Sequence, residues 1–292
     1  MFLALRELKF NWLRSLLLGG VAALLAFMVF MLLGLTRDLS EDSAAWMLNS
    51  PAQTFVTTAD AGGNFSRSFL DAATVTAVKK AVPDAAPFAQ SFISFGVNSK
   101  SSTQLGAVML GLDPRAFIAP QLTGGSAAVA QALSGAGAVV DASLQNEGVK
   151  LGDTLILQPS GEQLRVTGFT TGARLNHQPV VFVSMEHWQA LNPRANGTVS
   201  AVALPEAAPS GLPAGLTLQS RPQALQALPG YKEEQGSLLM IQVFLVAVSA
   251  LVMTVFFYVM TLQKTAQFGL LKALGARPVS YTHLRAHETR ED

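Results

Sequence analysis

Histidines with nearby carboxylate or hydroxyl groups are the first residues in this sequence whose types and spacing could do chemistry. In the final stretch VSYTHLRAHETRED (279–292), His283 and His287 stand at i and i+4 with Glu288 beside them. On a helix that spacing puts both imidazoles on one face, where a metal ion could sit. The other two of the four histidines, His177 and His187, are ten residues apart, one in a predicted loop and one on a predicted helix. Zinc-binding histidines are spaced roughly three to five residues apart, so this pair reads as two unrelated surface residues. Ser184 and His187 suggest a nucleophile and its base, but no G-x-S-x-G elbow surrounds the serine. Asp153, after Leu151-Gly152 at the entry to a predicted strand, is ordinary turn chemistry. There is no G-x-x-x-x-G-K-[ST] phosphate loop. With no cysteine there is no thiolate nucleophile, no thiolate metal site and no disulfide. Nothing in these residues supports an enzyme.

The elements that would position any site are dominated by hydrophobic sequence. Half of the 292 residues are hydrophobic and only 13% are charged, which is too apolar for an ordinary soluble domain. A net charge of +1 without a basic stripe argues against nucleic acid as a partner. From Ser15 to Thr36 no residue is charged, and Arg14 and Arg37 bracket the run. A second uncharged run extends from Gln235 to Gln263. Each exceeds the ~20 apolar residues that a helix needs to cross a bilayer. A cleaved signal peptide is the rival reading of the first run. Its apolar stretch is longer than the 7–15 residues typical of such leaders. Ser43-Ala44-Ala45 is a poor cleavage site, displaced beyond Glu41 and Asp42.

Lysine and arginine near the spans set the expected orientation. Arg6, Lys9 and Arg14 precede the first span, and Lys264, Lys272 and Arg277 follow the second. The intervening flanks carry Asp38, Glu41, Asp42, Glu233 and Glu234 against only Arg37 and Lys232. Both ends are therefore expected in the cytoplasm, with residues 37–234 outside. Residues 1–14 place Phe2, Leu5, Leu8, Trp12 and Leu13 near helical spacing, as in an interfacial amphipathic helix lying against membrane lipid. Between the spans, short β-type runs at 53–58, 92–97, 105–112, 138–141, 154–158, 164–170, 179–184 and 199–204 are punctuated by Gly, Pro, Asn and Asp. Helical patterns fall at 71–82, 184–191 and 221–228, and 207–215 is the clearest loop. The expected fold is a membrane protein in which two transmembrane α-helices flank an α+β extracytoplasmic domain.

Methionines are the remaining chemical candidates. Met28 and Met31 share a helical face of the first span at i, i+3; Met240, Met253 and Met260 lie on the second, with Tyr258. Thioether and phenolate groups can ligate haem iron, but methionine also fills apolar gaps with no ligand in view. Gln242, Ser249 and Thr254 are polar residues inside the second span, expected to hydrogen-bond between helices.

Two stretches resemble a known family. PGYKEEQG (229–236) followed by FFYVMTLQKTAQFGLLKALGARP (256–278) is the sharpest match; MFLALRELKFNWLRSLLLG and FMVFMLLGLTRDLS at the start are similar too. With GVKLGDTL (148–155) in the outer domain, they resemble ABC-transporter permeases of the FtsX/MacB type, nearest to the haem-exporter and DevC-like branches. The resemblance covers residues 1–278. It implies a homodimer in the bacterial cytoplasmic (inner) membrane that works with a separate cytoplasmic ABC ATPase subunit. ATP would bind to that partner, no cofactor would be covalently held, and haem would be a substrate. Residues 264–278 would form a coupling helix at the start of the permease core. Lys264, Gln267, Phe268, Leu271 and Lys272 would contact the ATPase, with Leu274 completing an apolar stripe and Gly275 and Pro278 ending the helix. Met28, Met31, Met253 and Tyr258 would be the substrate contacts. Hemin efflux is the expected activity. Export of lipid, glycolipid, lipoprotein or peptide is a second transport reading, and a membrane-anchored sensor of an extracytoplasmic partner is a third.

The sequence departs from this family after Pro278. Such permeases carry four spans, the last two beyond the coupling helix, whereas residues 279–292 could not cross a membrane. Val279 to Thr289 match, residue for residue, the translation of a widely used transposase-type library adapter. His283 and His287 are therefore expected to carry no selected chemistry, and the chain to be a fragment inactive in transport by itself.

Overall fold

The computed structural model describes residues 12–98, 104–125, 128–206 and 211–273. Most of the interfacial lead, the helix stop at Gly275 and Pro278, and the tail with His283 and His287 lie outside the described residues. The chain divides into two units, residues 35–237 and the two segments that flank them.

Helix α1 (Trp12–Asn49) as far as Gly34 and the last helix, α6 (Tyr231–Ala273), from Leu238 onward lie in the flanking unit. Both are long and apolar enough to cross a membrane. At 1.5 Å per residue a 38-residue helix reaches about 57 Å, so α1 runs well past its uncharged run at Thr36. Within this unit each helix has one half-buried stripe. On α1 it runs Ala22, Leu25, Val29, Leu32, and on α6 Gln242, Leu245, Ser249, Met253, Phe256, Met260. Steps of three and four are those of a helix–helix seam. The remaining faces carry exposed Leu, Phe, Val and Met, as suits lipid or a further protein surface. Ser249 and Thr254 donate to Leu245 O and Ala250 O of their own helix (both 2.7 Å). An i−4 carbonyl is always within reach of a helical Ser or Thr, so each hydroxyl satisfies its proton within its own helix.

The unit 35–237 is α+β. After α1 come β1 (Thr54–Thr58), α2 (Ala72–Ala81), β2 (Ala86–Val97), β3 (Leu105–Leu112), β4 (Gly124–Gly125), α3 (Val129–Ala132) and β5 (Gly137–Asp141). Then follow β6 (Thr154–Gln158), β7 (Gln163–Thr170), β8 (Arg174–Leu175), β9 (Gln178–Ser184), α4 (Met185–Leu191), β10 (Ala201–Leu204), β11 (Leu216–Ser220) and α5 (Arg221–Gln226). The strands pair in the order β11-β1-β10-β2-β3-β9-β5-β7-β4. Strand β6 pairs with both β2 and β7, so β2-β3-β9-β5-β7-β6 closes into a ring.

Both faces of the central strands are buried, which is why they read as continuous apolar runs instead of alternating ones. On β3, Ala107 and Met109 face a core with Phe95, Val140, Leu155, Leu164, Val181 and Val183, while Val108, Leu110 and Leu112 face the other side. The first core fills the ring and continues beneath α2. The second is closed by residues of α1 and α5, including Trp46, Met47, Ala224 and Leu225. Gly111 sits where a Cβ would come 2.3 Å from Cβ of Trp188, so glycine lets α4 lie directly on β3.

Candidate functional site

Ser184 and His187 do not pair as a nucleophile and its base. Ser184 caps α4, its hydroxyl accepting from His187 N at 3.1 Å, so it is engaged by backbone and not by an imidazole. The His187 ring buries Nε2 without a partner. No group of three His, Asp or Glu is set to hold a metal ion among the described residues. What the outer unit builds instead is a junction that gathers the end of α1, the start of α6 and one hairpin.

The chain creates this junction from the α1 end inward. Arg37 and Glu41 form an exposed i,i+4 ion pair at 3.0 Å, which supports helix beyond the apolar run. Ser43 donates to Leu39 O at 2.9 Å. At Ala44 the backbone leaves helical geometry (φ −152°, ψ 19°), bending the helix and directing Trp46 and Met47 into the core. Trp46, only 5% exposed, meets Phe88 edge-on at 5.0 Å between ring centres, and Phe55 and Phe65 complete the aromatic cluster. Such pairs lock orientation as well as burying area. Tyr231, the first residue of α6, packs against the same core and hydrogen-bonds Ser40 through its hydroxyl at 2.8 Å.

The hairpin is β8–β9, whose two-residue turn is Asn176-His177, both with positive φ (52° and 60°). That turn matches the twist of its strands, and asparagine tolerates the left-handed region well. The turn docks on α1: Asn176 N donates to Ser43 O at 2.8 Å, and Asn49 Nδ2 donates to Gly172 O at 3.2 Å. The His177 ring is thereby held between two carboxylates from different helices. Nδ1 lies 3.1 Å from Asp42 Oδ2, and Nε2 lies 3.3 Å from Glu234 Oε2. Ser43 Oγ is 3.0 Å from Nε2 and donates to Glu234 at 3.2 Å. Arg174 pairs with Asp42 and also donates to Ser143 Oγ (3.0 Å) and to His177 O (3.1 Å). Beneath this, buried Asp141 accepts from Ser143 N at 2.9 Å and Ala173 N at 2.8 Å, fixing the base of the hairpin.

His177 is thus not an idle surface histidine. The relevant signals are the acids at both span ends and the Asn-His pair between two strand-like runs. Only the fold brings residues 42, 177 and 234 together. A polar cavity of about 470 Å³ opens beside the hairpin, lined among others by Ser143, Asn146, Glu147, Arg174 and His177.

In the membrane unit the methionine and tyrosine candidates are distributed over several faces. Met28 and Met31 are 47% and 64% exposed on α1, Tyr258 is 63% exposed on α6, and Met253 lies in the half-buried stripe. Lys264, Gln267, Phe268, Leu271 and Lys272 are all on α6, which continues as helix to Ala273.

The family model of the MacB-like periplasmic core domain matches residues 17–217, more than half of the chain. The chain belongs to the FtsX/MacB-type ABC permeases. This permease is 22% identical over 279 residues to a candidate hemin transport system permease protein HrtB of Staphylococcus haemolyticus, covering 95% of the chain and 77% of the relative. To the protein of the same name from Staphylococcus epidermidis RP62A it is 23% identical, covering 94% and 76%. Among solved structures, the periplasmic region of MacB from Actinobacillus actinomycetemcomitans is similar at 13% identity, TM-score 0.44, covering 60% of this permease and 91% of that chain. The extracellular domain of the ABC-type transporter YknZ from Gram-positive bacteria is similar at 10% identity, TM-score 0.39, covering 54% and 84%.

Proposed function

We propose that this permease exports hemin and that the chain is the N-terminal part of its permease subunit. One observation carries the cargo assignment: similarity to proteins named as hemin transport permeases runs through both membrane helices and the outer domain, over 94–95% of the chain. Met28, Met31, Met253 and Tyr258 are the proposed cargo contacts, supplying thioether and phenol groups suited to haem iron or its apolar ring. Met28, Met31 and Tyr258 have the exposure that contact with cargo or with a second permease copy requires.

ATP is hydrolysed in this proposal by a separate cytoplasmic ATPase subunit, which Lys264, Gln267, Phe268, Leu271 and Lys272 contact. The permease is a homodimer in the bacterial cytoplasmic (inner) membrane, with its lysine- and arginine-rich helix ends inside. Helix α6 supports a mechanical role, because it continues from Ala273 back to Tyr231, where the outer-domain junction begins. A shift imposed at the ATPase end would travel along one helical hydrogen-bond ladder to Tyr231 and Glu234.

Hemin titration of the purified chain in detergent tests the cargo. The expected result is a Soret shift that weakens in Met31→Ala and Tyr258→Phe, and no shift at micromolar hemin removes the assignment. Co-purification with the ATPase encoded beside the gene tests the coupling. Leu271→Asp should abolish it while leaving the Soret shift intact.

A further inference from the structure

We propose that His177 is a proton-sensitive latch that holds the outer end of α1 to the outer end of α6. The geometry carries this in three steps. First, the two ring nitrogens face two different carboxylates, Asp42 on α1 at 3.1 Å and Glu234 on α6 at 3.3 Å. A neutral imidazole has one N–H and one acceptor lone pair, so it can donate to only one of them; the imidazolium donates to both. Second, the ring stands among more acidic than basic groups. The groups facing it are Asp42, Glu234, the Ser43 hydroxyl and Arg174, whose guanidinium pairs with Asp42 and reaches the His177 carbonyl. Two carboxylates and one guanidinium leave one negative charge uncompensated, and a protonated ring neutralises it. Nearby Arg37 and Glu41 pair with each other and contribute no net charge.

Third, the ring is held on rigid supports. The hairpin bearing it is tied to α1 through Asn176 N to Ser43 O and Asn49 to Gly172 O. Asp141 fixes the hairpin base from below. With one proton lost and the remaining N–H on Nδ1 toward Asp42, Nε2 turns a lone pair toward Glu234 and Ser43, so the hairpin stays on α1 and the α6 side is released. Glu234 then faces the Ser43 hydroxyl at 3.2 Å, whose single proton is shared with Leu39 O at 2.9 Å. The Ser40–Tyr231 bond at 2.8 Å, between neutral groups, does not depend on the ring. Imidazole is the side chain that ordinarily changes charge between about pH 5 and 8. The latch is thus closed when both ring nitrogens carry a proton and open when one has lost it. Because Glu234 stands at the start of α6, the latch controls how freely that helix end moves against the end of α1.

The absence of cysteine allows a direct test. Spin labels are placed at Asp38→Cys and Lys232→Cys, both exposed and outside the latch. The distance between them is measured by pulsed electron resonance on the full chain in lipid nanodiscs, frozen from about pH 5.5 and about pH 8, either side of imidazole titration. The expected result is a narrow distribution at the lower pH that is lost at the higher. His177→Asn suits the positive-φ position and never carries charge, so it should lack the narrow population at both pH values. His177→Arg is charged throughout and should keep it at both. Thermal unfolding by circular dichroism confirms that the variants fold; a variant that does not is replaced by Glu234→Gln, which should also lack the narrow population. A wild-type distribution unchanged by pH, or a pH response that persists in His177→Asn or Glu234→Gln, overturns the proposal.

Discussion

Trp46→Ala is the perturbation that most directly tests how the end of α1 is fastened into the core of the unit 35–237. The side chain is 5% exposed and lies edge-on to Phe88 at 5.0 Å, with Phe55 at 6.4 Å. Truncating a buried Phe or Trp to alanine costs about 3–5 kcal/mol, because transfer free energy is lost and the surrounding core collapses only in part. The aromatic pairing, about 0.5–1.5 kcal/mol, is contained in that total. For a domain of 150–250 residues each kcal/mol moves the melting temperature by roughly 2–4 °C, so the expected fall is about 6–20 °C. The assay is thermal unfolding of the purified chain in detergent followed by far-ultraviolet circular dichroism. Tryptophan fluorescence is unsuitable, since Trp46 is one of three tryptophans and contributes to the signal. Phe92→Ala is the internal control: that ring is 54% exposed on the same sheet, and its loss should stay within about 0.5 kcal/mol, under roughly 2 °C. If Trp46→Ala melts with the wild type, or if Phe92→Ala falls equally far, the helix end is not fastened by this core.

Three further outcomes rest on the same physics. Gly111→Ala places a methyl group 2.3 Å from Trp188 Cβ and should destabilise by about 1–3 kcal/mol, read as a lower urea midpoint at unchanged slope. Asp141→Ala leaves the Ser143 and Ala173 amides without their acceptor in a buried site. It should cost about 1–3 kcal/mol for each amide and weaken hydrogen-exchange protection around 171–178. Asp71 caps α2, and hydrogen bonds from Thr74, side chain first and then backbone, hold its carboxyl below the ordinary range. A lowered native value means that the contribution is complete above the unfolded value, near about 3.9, and disappears as pH falls through the native one. Asparagine caps without titrating, so Asp71→Asn should remove that part of the melting-temperature slope below about pH 4; an identical slope in the variant refutes it.

Much of the outer fold is legible in the sequence because its central strands are buried on both faces. Runs such as LGAVMLGL and PVVFVS are apolar without alternation, and β3 and β9 lie where they predict. The first half of β2 escapes sequence reading because Pro87 interrupts the pattern; it pairs with Val202, where the sheet accommodates it. Strand β11 escapes it because LTLQS follows a loop rich in glycine and proline, and only pairing along β1 makes it a strand. The two-residue strands β4 and β8 are too short to carry any periodicity.

The sequence by itself determined the two membrane helices, the class of the domain between them and the family, because length of apolar run, local periodicity and contiguous motifs are all properties of neighbours in the chain. The closed ring of strands, the insertion of Trp46 after the bend at Ala44, and the meeting of Asp42, His177 and Glu234 were decided only by tertiary structure. The contacts of His177 and Glu234 with Asp42 and Ser43 and with each other join residues more than fifty, and in one case nearly two hundred, positions apart. No local pattern specifies such a pairing; it comes from which faces the sheet buries and from where the two helices must leave it.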